Sequence, residues 1–388
     1  MVKRSGMPFS LHITQSAHDM NMENLLSKIL HSGCGERFYR FANADGKAWI
    51  MPAQHMHTAM ELYQPSSLKG RLLKLWFPFL HRIQIVRWAI HAERMQCQLS
   101  DELQHLLERI FNIKKLEFAL FCGTPCVYQK ITMQVFQDNR IIGYVKFSRN
   151  VDVAKLFRHE SDILTEIRCM GLDNVPEPKF CSCVDGTYVF MQTTSKTRQS
   201  ITLHRWTELH QKCLENIVRK TKKHIRFDKT DYANVIRNLQ KIIKLFEEND
   251  QYALNKGIQI VLDHYRQSDE FCFFHGDFTP WNIYIENKKL YMFDMEYSYR
   301  SFPLYMDMIH FVLQVCIQEK RLDAKQIIEE IQRSSYMLDV LGVDYRISII
   351  AYLLFILTFY MQFFNGKFDS KDNGYRVWTA LLKYYIEL

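Results

Sequence analysis

None of the ten cysteines stands in a CxxC pair, and no histidine cluster accompanies them, so the spacing a structural zinc site requires is missing. Many of the cysteines lie inside apolar strings, where a free thiol behaves as a small hydrophobe, and a reducing compartment is expected. The first residues, MVKRSGMPFSLHITQSAHD, begin with basic residues but lack the apolar run of a secretory signal. A cytoplasmic protein is the expectation. Internal repeats and low-complexity stretches are lacking too, so boundaries must be read from changes in hydrophobic period. A formal net charge of +8 over 388 residues is too diffuse to argue for nucleic acid, although it suits a phosphorylated ligand or an anionic membrane surface.

What is present is ordinary globular composition, 47% hydrophobic and 24% charged, in a chain long enough for two or three lobes. The uncharged run from Ile347 to Phe364, ISIIAYLLFILTFYMQFF, is just long enough to span a bilayer. It carries Ser348, Tyr352, Thr358, Tyr360 and Gln362, and the favoured reading is the buried centre of a helical lobe.

Three segments follow from the pattern. Residues 1–111 read as an N-terminal extension. Phe38 to Met51 forms a hairpin turning at Asp45-Gly46. Leu68, Leu72, Leu75, Phe79, Leu80 and Ile83 then recur at helical spacing, with Lys69, Arg71, Lys74 and Arg82 on other faces and Pro78 expected to kink or divide the helix. The favoured reading packs this helix on the rest of the protein. The other reading is peripheral contact with an anionic membrane, at its inner face. A helix from about Ser100 to Phe111 closes the segment.

Residues 112–194 read as strands at Phe118–Phe121, Val127–Phe136 and Ile141–Phe147, a helix over Val153–Met170, and two short strands around Lys179–Cys183 and Tyr188–Gln192. Residues 195–388 are mainly helical, interrupted by one β stretch between Phe271 and Tyr297. A basic cluster from Arg219 to Lys229 lies in this last segment and reads first as a solvated face.

That β stretch, FCFFHGDFTPWNIYIENKKLYMFDMEYS, carries the chemistry. An apolar strand delivers His275-Gly276-Asp277 into a loop, Asn282 opens the next strand, and a second apolar strand ends at Asp294. H-x-D-x-x-x-x-N followed by a strand-terminal Asp matches the kinase template, in which the first Asp takes the proton of the acceptor hydroxyl. Asn282 and Asp294 would supply hard oxygen ligands to Mg²⁺. The competing reading is a hairpin with capping Asp and Asn residues, which turns favour.

HGDFTPWN and FDMEYS together resemble the catalytic and metal-binding segments of the aminoglycoside phosphotransferase and choline kinase families, over about residues 115–388. The resemblance implies an α+β, bilobal protein kinase-like fold, with a small β-rich N-lobe and a mainly helical C-lobe. It implies Asp277 as catalytic base, Asn282 and Asp294 as metal ligands, and Glu296 either near a second metal position or as a solvated strand-end carboxylate. It asks for a lysine on the third strand and a glutamate on the helix after it, met by Lys146 and Glu160, with Glu166 as the rival partner and an edge-guarding role as the alternative for Lys146. Gln192 and Thr193 stand where backbone groups would meet adenine. Gly123 and Thr124 open a phosphate-covering loop with one glycine where protein kinases have three. His275 and Asp307 resemble supports of the catalytic loop. No APE segment is present, which argues against a protein substrate. The expected activity is transfer of phosphate from ATP, with Mg²⁺, to a hydroxyl of a small molecule, with a carbohydrate slightly favoured. A non-catalytic kinase-like scaffold and a nucleotidyl transferase are the alternatives.

Overall fold

The computed structural model describes residues 15–65, 68–126, 128–265, 268–340 and 342–388. The reading of the first fourteen residues, and the expected strand's first residue Val127, lie outside these. The chain forms two compact units. The first takes in residues up to Cys169, Asp173–Ile201 and Tyr284–Glu296, and the second Met170–Leu172, Thr202–Ile283 and Tyr297–Leu388.

In the first unit α1 (Gln15–Ile29) leads into β1 (Leu30–Ala42), which pairs with β2 (Ala48–Pro52). The turn between them is tied by the Asn43 side-chain oxygen, which accepts the N–H groups of Asp45 and Lys47 at 3.0 Å each. Gly46 adopts the φ of +76° that such a turn needs. The expected hairpin is therefore present, but it is no separate module. After α2 (Met56–Ala59), α3 (Leu68–Leu80), α4 (Gln84–Ala89), β3 (Glu93–Leu99) and α5 (Asp101–Phe111), the chain continues into β4 (Glu117–Phe121), β5 (Ile131–Gln137) and β6 (Arg140–Ser148). Then follow α6 (Val151–Cys169), β7 (Pro178–Val184) and β8 (Thr187–Thr193). All eight strands join one antiparallel sheet in the order β3-β1-β2-β4-β5-β6-β8-β7.

The period of two along each strand supplies both faces of this sheet. Phe38, Ile50, Leu120 and Met133 pack with Leu26 and Ile29 of α1 and with Leu103 and Leu107 of α5. Their neighbours Tyr39, Trp49 and Ala119 face the other way, together with Met51, and pack with Phe77 of α3. Trp49 stacks between Phe41 and Phe121, at 5.7 and 5.2 Å between ring centroids. The side-chain pattern of residues 38–52 thus continues that of β4, which is why the strands of the extension join the larger sheet.

Helix α3 is packed, as favoured from the sequence, but through the opposite face from the expected stripe. Gly70, Phe77 and Pro78 are buried, whereas Leu68, Leu72, Leu75 and Phe79 are exposed. Pro78 sits in the last turn, and the His81 N–H still donates to the Phe77 carbonyl at 2.8 Å, so the helix is not divided there.

The second unit contains α7 (Glu208–Thr221), β9 (Lys223–Arg226), α8 (Asp231–Ile242), α9 (Glu248–His264) and β10 (Ser268–Phe274). The short pair β11 (Ile283–Glu286) and β12 (Lys289–Met292) follows at the change of unit, and then β13 (Tyr299–Pro303), which lies beside β10 in a sheet ordered β13-β10-β9. Helices α10 (Met306–Gln314), α11 (Ala324–Val340), α12 (Tyr345–Phe363) and α13 (Asn373–Glu387) complete it. The long apolar run is α12, and its side chains from Ser348 to Thr358 are all buried, where it packs on α8, α9, α10 and α13. Its polar groups find partners inside the helical unit. Thr358 Oγ1 donates to the Leu354 carbonyl at 2.6 Å, and the Tyr352 hydroxyl reaches α10. The basic cluster of residues 219–229 is largely solvated, with Lys222 paired to Glu270 and Arg226 to Asp228.

A β-rich unit with α6 between β6 and β7, and a mainly helical unit whose own strands are β9, β10 and β13, make up the α+β fold class expected from the sequence.

Candidate active site

The first unit brings together Lys146, Glu160 and Asp294. On α6 the buried residues Val153, Phe157, Glu160, Leu164 and Ile167 recur every three or four positions, so Glu160 lies on the apolar stripe that faces the sheet. Opposite it, Lys146 points inward from β6 beside Phe190 of β8. Lys146 Nζ lies 2.5 Å from Glu160 Oε2 and 2.6 Å from Asp294 Oδ1. Glu160 rather than Glu166 is its partner, and a lysine only 6% exposed is no edge guard. Asp294 follows β12 with φ +66°, a left-handed conformation that Asp tolerates better than most residues, and that such sites commonly hold.

Two further residues complete this cluster. Glu296 is 7% exposed, which removes the solvated reading, and it is paired with Lys130 at the start of β5. Lys130 also lies 3.9 Å from Asp294. Lys130 was not foreseen from the sequence. It falls inside the strand expected over Val127–Phe136, whereas β5 begins only at Ile131 and leaves Lys130 at the end of the loop that Gly123 opens. Gly123 has φ +72°, and a Cβ there would come within 2.4 Å of the Lys130 carbonyl oxygen, so the glycine lets the two ends of the loop approach. Gln129 ties the same loop through a 2.9 Å bond to the Cys122 carbonyl. Thr124 is half-buried within it.

Three carboxylates face two ammonium groups here, one negative charge in excess. Burial would lower the Lys146 pKa, but Asp294, Glu160 and Glu296 outweigh it and hold the ammonium above the ordinary lysine value. Burial pushes the Glu160 carboxyl up, Lys146 pulls it down, and Asp294 and Glu296 push it up again. Glu160 Oε1 has no hydrogen-bond partner among the described residues. Ligand oxygens of Glu160, Asp294 and Glu296 all lie within 4.8 Å of one another. An orphaned oxygen, a hard-oxygen donor set and an excess negative charge fit a divalent cation such as Mg²⁺.

On β8, Gln192 is buried beside Tyr144 of β6, and its side-chain oxygen has no partner among the described residues. The N–H of Thr193 donates to the Glu177 carbonyl at 2.9 Å, and its hydroxyl accepts the Glu177 N–H at 3.0 Å. The backbone N–H of Thr193 is thus already engaged.

The second unit holds Asp277 and Asn282. Strand β10 ends at Phe274 and the chain turns at Gly276, where φ is +80° and a Cβ would lie 2.2 Å from the Tyr297 carbonyl oxygen. Asp307, on the first turn of α10, accepts the backbone N–H groups of His275 at 2.8 Å and Gly276 at 3.2 Å. Burial pushes the Asp307 carboxyl up to about 7, although those two N–H groups pull it down, and Asp277 adds to the rise. His275 is buried, and its Nδ1 accepts the Asp277 N–H at 3.3 Å. Both loop supports expected from the sequence therefore contact the loop backbone.

Asn282 donates its amide to Asp277 Oδ2 at 2.7 Å and to the Asp277 carbonyl at 3.1 Å. The other carboxylate oxygen lies 3.3 Å from His310 Nε2, and His310 Nδ1 is 3.2 Å from the Tyr352 hydroxyl of α12. Burial holds Tyr352 well above the ordinary phenol range, so it remains a proton donor. A carboxylate only accepts, so the contact with Asp277 is a hydrogen bond when Nε2 carries the ring proton, and Nδ1 is then an acceptor for the Tyr352 hydroxyl. His310 and Tyr352 were missed from the sequence. The available signal was the i, i+3 spacing of Asp307 and His310, which puts both on one face of α10.

No family model and no curated protein matches the sequence. Among solved structures, the chain is similar to a protein from Haemophilus somnus 129PT provisionally described as a fructosamine-3-kinase, at 10% identity over 74% of this chain and 95% of that one, with a TM-score of 0.41. It is similar to an amicoumacin kinase in complex with AMP-PNP, Ca²⁺ and Ami, at 11% identity over 74% and 94%, with a TM-score of 0.44. A mutant aminoglycoside 2'-phosphotransferase-IIIa in complex with GDP gives 12% identity over 74% and 95%, with a TM-score of 0.40.

Proposed function

We propose that this protein is a phosphotransferase that moves the γ-phosphoryl group of ATP to a hydroxyl of a small molecule. The observation that carries the reading is Asp277, held through one carboxylate oxygen by Asn282 and approached at the other by His310, inside an H-x-D-x-x-x-x-N loop. An orientation so restrained suits a base, because phosphoryl transfer draws most of its acceleration from positioning and charge neutralisation.

In this reading the Asp277 carboxylate accepts the proton of the acceptor hydroxyl as that oxygen bonds to the γ-phosphorus. The bond from the γ-phosphorus to the bridging oxygen breaks, and ADP leaves with its electrons. Lys146, kept charged by its carboxylate neighbours, pairs with the nucleotide phosphates, and Glu160 keeps it aimed. When bound, Mg²⁺ supplies charge neutralisation at the phosphates, and Asp294, Glu160 and Glu296 would hold it, with Asn282 the further ligand implied by the sequence resemblance. The acceptor proposed is a sugar, amino sugar or glycan-linked alcohol, on the resemblance of HGDFTPWN and FDMEYS.

A screen of such alcohols with γ-labelled ATP and Mg²⁺, read by label on the acceptor, tests this directly. Transfer of AMP with release of pyrophosphate would replace it with nucleotidyl transfer. Absence of any ATP binding in calorimetry would leave a scaffold.

A further inference from the structure

The first unit carries a concentrated apolar surface that its own packing does not use. Of the thirteen large hydrophobic side chains exposed among the described residues, eight fall between Leu68 and Trp88, on α3, α4 and the turn joining them. On α3, Leu68, Leu72, Leu75 and Phe79 fall within an arc of about 60° at 100° per residue, centred opposite Phe77. Trp76 widens the same face, and on α4 Ile85 and Trp88 are 71% and 76% exposed.

This exposure does not come from a loosely placed helix. Phe77 lies against Phe41 and Tyr39, at 5.6 and 6.4 Å between centroids, and is 1% exposed. Arg87 donates to the His81 carbonyl at 2.7 Å and sits over the Tyr39 ring, which fixes the α3–α4 corner to β1. Lys74, on the packed side, pairs with Glu61 at 3.0 Å. One side of α3 is therefore anchored, and the other is left apolar.

Charge selects what covers it. No Asp or Glu occurs between Glu61 and Glu93. Arg71 and Lys69 flank the apolar arc on its two sides, and Arg82 follows on the connecting turn. All three are exposed, and none makes an ion pair among the described residues. An apolar stripe with tryptophans, bordered by unpaired cations and free of acids, matches the interface of an anionic bilayer in both its layers, acyl chains beneath and phosphates above.

We propose that α3 and α4 form a peripheral docking surface for anionic phospholipid, with the exposed leucines, Phe79, Trp76 and Trp88 entering the interface and Lys69, Arg71 and Arg82 meeting the phosphates. Apolar insertion gives a contribution that salt does not screen, and the three cations give one that it does.

The test uses the full chain and vesicles of phosphatidylglycerol mixed with phosphatidylcholine, compared with phosphatidylcholine alone. The protein should sediment with the anionic vesicles at low salt and be largely released as salt rises. Replacing Lys69, Arg71 and Arg82 with Gln should lower partitioning roughly 100-fold. The pair Leu72→Gln and Phe79→Gln should lower it at both salt concentrations with the fold retained, since the two side chains are 58% and 63% exposed and Phe79 gives up an edge contact with the His57 ring. Failure to sediment at low salt overturns the proposal, as does unaltered binding by the triple Gln variant. A concentration-dependent dimer that Leu72→Gln and Phe79→Gln abolish, without vesicle binding, would assign the face to a second copy and overturn it equally.

Discussion

His310 Nε2 stands 3.3 Å from Asp277 Oδ1 while the Tyr352 hydroxyl stands 3.2 Å from the other ring nitrogen. The catalytic-loop carboxylate is thus positioned from two helices that follow it in the chain, α10 and α12. Asp277→Asn should keep the fold and nucleotide affinity and lower transfer by about 10²- to 10⁴-fold, the usual cost of a lost base. His310 is a positioning residue. His310→Ala should lower kcat with the KM for ATP unchanged, and His310→Gln, which restores an N–H near the Nε2 position, should recover part of it. Equal losses in both His310 variants would reduce the residue to a packing role.

Nucleotide binding should depend on a divalent cation and be lost in Asp294→Ala. Removing one of three clustered carboxylates weakens the cation's hold, and the phosphate charge is then uncompensated. Titration calorimetry of ATP with and without Mg²⁺ checks this. Unchanged affinity in the variant would take Asp294 out of the metal site.

The excess of carboxylates over ammonium groups predicts asymmetric costs at the buried pair. Lys146→Met leaves Glu160, Asp294 and Glu296 facing Lys130 alone and should destabilise by about 3–5 kcal/mol, as breaking buried ion pairs does. Glu160→Gln leaves two carboxylates facing two ammonium groups and should cost only about 1 kcal/mol. Urea unfolding of both variants measures the difference, and equal costs would contradict the charge count.

His210 occupies the third position of α7, and its Nδ1 accepts the Thr207 N–H at 3.2 Å in a capping box. Burial lowers its pKa from 6.5 to about 4. Between those values the unfolded chain binds more protons than the folded one, so this group's contribution to stability is lost as pH falls from 6.5 toward 4. The loss amounts to about 3 kcal/mol in full. His210→Gln, which keeps a capping acceptor, should show a correspondingly shallower fall in stability over that range. Parallel pH profiles would mean that His210 is not neutral in the fold.

The positions legible beforehand were those set by short separations. His275, Gly276 and Asp277 are delivered by one strand end, and Lys146 and Glu160 by a strand and the helix after it. The contact between Lys146 and Glu160 spans only fourteen residues, whereas Lys146 meets Asp294 across 148. Lys130 pairs with Glu296 across 166 residues, and His310 meets Asp277 and Tyr352 across 33 and 42. No local period marks such partners, because sheet order and helix packing bring them together.

By itself, then, the sequence determined the order of elements, the loop that carries Asp277 and the leucine stripe along α3. Tertiary structure decided which neighbours those side chains met. For α3 the reason is plain. Both sides of the helix are apolar, so periodicity cannot choose between them. The aromatic rings of Tyr39 and Phe41 on β1 accept Phe77, and the leucine face is left outside.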